Sequence, residues 1–124
     1  MKENTKNWLK KAGEDLQTCE ILVSAEFFPT AVVCFHAQQS AEKYLKAFLT
    51  ENEVEFTRTH DLVDLLLNYI LDLDQEFRIL TDNCEYLTDY GVIPRYPGDY
   101  PDITKEEAYE ALKMTSEIKL ETKK

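Results

Sequence analysis

The chain has no apolar run approaching the roughly 20 residues needed to span a bilayer. Among its 124 residues there are only three cysteines, three glycines and one tryptophan. The first lack excludes a helical membrane span. The second argues against a disulfide scaffold: Cys19, Cys34 and Cys84 are odd in number and far apart, each at or near the apolar side of a predicted helix, so they read as reduced, buried fillers. There is no glycine-rich phosphate loop and no nucleophile elbow. Histidine is scarce as well. His36 and His60 stand 24 residues apart among scattered carboxylates, a pattern without metal-ligand spacing.

Positive charge is also in deficit. With 24 acidic against 14 basic residues the formal charge is −10, which weighs against holding nucleic acid through phosphate neutralisation, so RNA is not an expected partner. The acidity is concentrated from Asp72 to Glu110 and leaves room for a local positive site built from Lys43, Lys46, Arg58 and Arg95. The first eleven residues carry Lys2, Lys6, Lys10 and Lys11, but no apolar signal core follows them, and the default location is the cytoplasm.

What the chain does have is helical periodicity, and the expectation is one all-α domain over residues 1–124 with no strand. Trp8, Leu9, Ala12, Leu16, Cys19 and Val23 recur at three and four and predict a helix from about Thr5 to Ser24. Pro29 suits the entrance of a second helix, from about Thr30 to Thr50, roughly 30 Å long and central. After a polar connection at 51–58, Thr59 is the expected N-cap of a short helix carrying Leu62, Leu65, Leu66 and Tyr69. Leu73, Phe77, Leu80, Cys84 and Leu87 form a near-heptad seam for a fourth helix, ending at Tyr90-Gly91, that could face the core or another subunit. Thr104-Lys-Glu-Glu107 is a capping box opening the last helix, continued by Ala108, Ala111, Leu112, Thr115 and Ile118.

The second helix carries an unusual polar stripe. On a 3.6-residue period His36, Gln39, Lys43 and Lys46 fall along one side. Glu42 and Lys46, at i and i+4 in the favourable order, read as a surface pair worth tenths of a kcal/mol. His36 reads as a packed or hydrogen-bonded interface residue more than a catalyst, and His60 as a group that satisfies backbone at a helix entrance or contacts a ligand. Residues 91–103 hold three of the four prolines and cannot be helix. A stiff loop bearing Arg95, Tyr96 and Tyr100 has the composition of a presentation device, and Arg95 could equally pair with Glu42 or Asp61.

Gln38-Gln39-x-x-Glu42-Lys43-x-x-Lys46-Ala47, Thr59-His60-Asp61-Leu62 and Arg95-Tyr96-Pro97, in this order over nearly the whole chain, resemble the HEPN domain family, named for higher eukaryotes and prokaryotes nucleotide-binding. The resemblance implies an up-and-down bundle of about five helices, similar to the substrate-binding domains of nucleotidyltransferases. It also implies a homodimer, often encoded beside a minimal nucleotidyltransferase in arrangements that include toxin–antitoxin pairs. HEPN ribonucleases carry an arginine followed after four to six residues by a histidine, acting from a dimer interface without metal. If Arg95 is that arginine, Tyr100, Pro101 and Asp102 occupy the histidine positions, and no histidine follows His60. A tyrosine near pKa 10 is poorly matched to acid–base work at neutral pH.

The balance of these residues favours a non-enzyme: a nucleotide-binding or partner-binding dimer with no cofactor, possible ligands being ATP or GTP. In that reading Lys43, Lys46 and Arg95 meet phosphate, Tyr96 or Tyr100 stacks on a base, and His60 donates, with His36, Gln39 and Glu42 in support. In some family pairs the partner adenylylates a tyrosine near the arginine motif, which would fall at Tyr100. The alternatives are a metal-independent ribonuclease and a purely structural module whose leucine seam is buried between subunits.

Overall fold

The computed structural model describes residues 1–91 and 102–124, so Arg95, Tyr96, Tyr100 and the proline-rich loop that carries them lie outside the described residues. Among the described residues the fold is all-α, with no strand. It comprises α1 (Glu3–Val23), α2 (Thr30–Glu51), α3 (Leu62–Leu65), a π turn (Leu66–Ile70), α4 (Leu71–Leu73), a 3-10 segment (Gln75–Leu80), α5 (Thr81–Thr88) and α6 (Lys105–Thr122). The run from α3 to α4 makes a third rod and the run from the 3-10 segment through α5 a fourth, giving the expected five-helix bundle.

α2 is the central element, packed chiefly against α1 and then α6. Val33, Cys34, Ala37, Ala41, Tyr44, Leu45 and Leu49 are buried along it, and the small residues let its neighbours approach. Two hydroxyls pin that approach: Ser40 Oγ donates to the Ala12 carbonyl of α1, and Thr115 Oγ1 of α6 donates to the Ala37 carbonyl, each at 2.8 Å. All three cysteines are free and buried within the same core. Burial pushes each thiol up to about 12. Because the thiolate is the reactive form, alkylation of the native protein at pH 8 is expected to be about a thousandfold slower than for an ordinary thiol from ionisation alone. Counting carboxamidomethyl groups by mass before and after unfolding checks this.

The third helix begins later than its sequence suggested. Asp61, not Thr59, caps it, accepting the N–H groups of Val63 at 2.9 Å and Asp64 at 3.2 Å, while Thr59 Oγ1 accepts the Asp61 N–H at 3.1 Å. The fourth helix is not continuous from Leu73. Asp74 is extended (φ −155°, ψ 108°) and its carboxylate accepts the Glu76 N–H at 2.9 Å, which starts the 3-10 segment. Phe77, Leu80, Cys84 and Leu87 of the seam face this chain's own core, whereas Leu73 is 43% exposed. That removes the structural module whose seam lies between subunits. Thr104 does cap α6, accepting the Glu107 N–H at 3.1 Å. The box is not closed in the reciprocal sense, since the Glu107 carboxylate accepts from the Tyr90 hydroxyl instead, at 2.9 Å.

The turn after α2 sets the position of the functional residues. Val54 N–H donates to the Leu49 carbonyl (3.0 Å) and Glu53 N–H to the Thr50 carbonyl (3.1 Å), with Glu53 left-handed at φ 59°. This is a Schellman stop with glutamate where glycine is usual. It turns the chain so that His60 arrives opposite Glu42 of α2.

Candidate functional site

Glu42 is the centre of the site. Its carboxylate is only 4% exposed, and a buried carboxylate persists only when charge and hydrogen bonds compensate it. Lys46 Nζ lies 2.9 Å from Oε2, His60 Nδ1 lies 2.9 Å from Oε1, and Gln38 Nε2 donates to Oε1 at 3.3 Å. Gln38 Nε2 also donates to the His60 carbonyl at 2.9 Å, and Gln39 Nε2 donates to Gln38 Oε1 at 2.7 Å. His60 is thereby held at its backbone and at its ring.

The electrostatics of the pair are asymmetric. Glu42 is enclosed while the His60 side chain is 77% exposed. A carboxylate only accepts hydrogen bonds, so Nδ1 carries a ring hydrogen toward Glu42, and it is Nε2 of the neutral ring that would offer a lone pair to a substrate proton. A carboxylate that orients an imidazole and stabilises its protonated form is the arrangement that activates histidine in acid–base catalysis. Beside the ring, His60, Asp61, Thr88 and Gly91 line a small surface cavity of about 240 Å³. Gly91 immediately precedes the segment bearing Arg95, and it packs on the Gln38 carboxamide, where an added β-carbon would meet Nε2 at 3.5 Å.

Lys46 is not the exposed cation its spacing suggested. It is buried with Glu42 and not paired at the surface, its ammonium 5.6 Å from the Trp8 ring centroid and 5.9 Å from that of Phe56. It neutralises Glu42 and is poorly placed to meet a phosphate. The upper stripe turns the other way: Lys43 Nζ contacts Asp15 Oδ2 of α1 at 2.5 Å, and His36 Nδ1 contacts Oδ1 of the same carboxylate at 2.8 Å. The structure thus divides the stripe into two clusters, Asp15–His36–Lys43 and Gln38–Glu42–Lys46–His60, with Gln39 bonded to Gln38 between them. Gln38 could have been found from its i, i+4 relation to Glu42. Asp15, Trp8 and Phe56 could not, because only the packing of α1 and the 54–60 segment on α2 brings them in. Among the described residues no helix is long and apolar enough to cross a membrane.

The HEPN domain model matches residues 5–124. The chain belongs to the HEPN domain family. A relative from Methanocaldococcus jannaschii, named "Putative toxin MJ1304", is 32% identical over 127 residues, covering 91% of this chain and 82% of the relative. The crystal structure of TT1696 from Thermus thermophilus superposes with a TM-score of 0.76 at 27% identity, covering 98% of both chains. That of ST0689, described as an archaeal HEPN homologue, gives 0.74 at 26% identity, covering 99% of this chain and 97% of the other.

These relatives correct the expectation of a non-enzyme. Kinship with a protein named as a toxin, together with whole-chain likeness to a structure described as an archaeal HEPN homologue, weighs against a non-enzyme. The histidine missing after Arg95 weighs most in that expectation, and His60 reads there as a backbone-satisfying or ligand-donating group and not as an acid–base residue, because its carboxylate partner is 18 residues away and visible only in the fold.

Proposed function

We propose that this HEPN protein is a toxin-type ribonuclease that cleaves RNA without a metal ion, with His60 as the imidazole that moves the proton. The observation that carries the reading is the exposed His60 ring bound through Nδ1 to the buried, lysine-neutralised Glu42. In the reaction a ribose 2′-hydroxyl gives its proton to His60 Nε2 as its oxygen bonds to the adjacent phosphorus, and Glu42 stabilises the imidazolium. The P–O5′ bond breaks, the leaving oxygen takes a proton from water, the imidazolium returns its proton to the hydroxide so formed, and the products end in a 2′,3′-cyclic phosphate and a 5′-hydroxyl. Arg95, four residues beyond Gly91 in the sequence, is proposed to neutralise the phosphoryl oxygens. A homodimer and a nucleotidyltransferase companion, both implied by the family resemblance, belong to the same proposal.

The test is incubation of purified protein with end-labelled single-stranded RNA in EDTA. Cleavage to fragments with cyclic phosphate ends, lost in Arg95→Ala, is expected. RNA that stays intact through a long incubation would sink the ribonuclease reading.

A further inference from the structure

We infer that Trp8 and Phe56 form a stacking site for an unpaired base of the RNA strand, beside the bond at which His60 acts; the inference rests on the ribonuclease reading and names its substrate as single-stranded. The two rings come from different elements, α1 and the segment that delivers His60, and meet at 6.5 Å between centroids with a 54° tilt. Both are only half-buried. Lys46 lies within 6 Å of each ring, and its ammonium is 2.9 Å from the carboxylate that holds His60. A single buried cation therefore joins the aromatic pair to the acid–base pair.

Trp8 and Phe56 keep part of their surface open to solvent, unlike the enclosed Tyr44 and Leu45 of the same bundle. Here the covered side of the rings meets a neutralised lysine and the remainder is left to solvent, where a base can add its π face. The charge around the rings is mixed: Lys2 is paired with Glu53, and Glu51, Glu53 and Glu55 precede Phe56. Lys11 is exposed and among the described residues has no ion-pair partner, whereas Lys6 and Lys10, two positions either side of Trp8, point away from its face of the helix. Lys11 stands one helical turn from Trp8, a separation at which one side chain stacks and its neighbour meets the flanking phosphate. A duplex keeps its bases inside the helix and offers no face to the rings.

Trp8 is the only tryptophan in the chain, so its fluorescence reports this site alone. The probe is a 2′-O-methyl tetra-adenylate, which lacks the nucleophilic hydroxyl and cannot be cleaved by the proposed route. Saturable quenching is expected, stronger than with 2′-O-methyl tetra-uridylate and absent with a longer, stably paired 2′-O-methyl duplex. Lys11→Gln should weaken binding at low salt and reduce the slope of log affinity against log salt by about 0.7. Trp8→Leu should raise KM for single-stranded RNA more than it lowers kcat, with Trp8→Phe restoring much of the loss. RNA cleavage without quenching would overturn the stacking site and leave the ribonuclease reading standing. Quenching without cleavage would keep the aromatic site and remove the ribonuclease reading. Absence of both would remove both, and equal quenching by the duplex would overturn the preference for an unpaired strand.

Discussion

Replacing His60 by Gln is expected to lower the rate of RNA cleavage by about 10²–10⁴-fold, the usual contribution of a positioned acid–base group, while the melting temperature changes little. The imidazole is 77% exposed and holds no part of the core, so its removal deletes a proton acceptor without opening a cavity. A glutamine can still donate toward Glu42, which keeps the carboxylate served. Single-turnover cleavage in EDTA, with thermal unfolding measured on the same preparation, separates the two effects. Unchanged cleavage would show that the proton moves elsewhere. His36 provides the contrast: its ring is bound to Asp15, whose other oxygen is taken by Lys43, and His36→Gln should leave a larger fraction of the activity than His60→Gln.

The second large effect falls on stability. Glu42→Ala leaves the Lys46 ammonium, 8% exposed at its side chain, without the carboxylate that neutralises it. Breaking a buried pair from one side costs about 3–5 kcal/mol, and in a chain of this size that is a fall in melting temperature of roughly 10–20 °C. The same loss is expected for Lys46→Ala, which strands the carboxylate. Replacing both by methionine, which fills similar volume and leaves neither charge behind, should recover most of the lost stability while activity stays low. A double-mutant cycle by urea unfolding measures the coupling. Additive losses from the two single variants would show that the pair is solvated and that Glu42 is not an enclosed anchor for His60.

Both effects belong to residues whose types were visible and whose environments were not. Glu42 and Lys46 at i and i+4 are equally compatible with a solvated helix face worth tenths of a kcal/mol and with a buried pair. Trp8 and Phe56 decide between them by closing over the lysine. His60 looked like a capping residue because it stands beside Thr59 and Asp61. Asp61 in fact carries the cap, which frees the His60 ring for Glu42. The break at Asp74 was hidden by a leucine–phenylalanine spacing that a 3-10 segment followed by an α-helix satisfies as well as one continuous helix does.

By itself the sequence determined the helical class, the approximate spans of α1, α2 and α6, the reduced state of three core cysteines and, through three short motifs in order, the family. Those features follow from side-chain period, local capping and residue type, all encoded within a turn or two of the chain. Only the tertiary structure decided that the polar stripe of α2 is two clusters, that Lys46 is enclosed and that His60 has a carboxylate behind it. Desolvation and long-range pairing depend on which elements pack over a residue. For Glu42 those elements begin at Trp8 and end at His60, outside the reach of any local pattern.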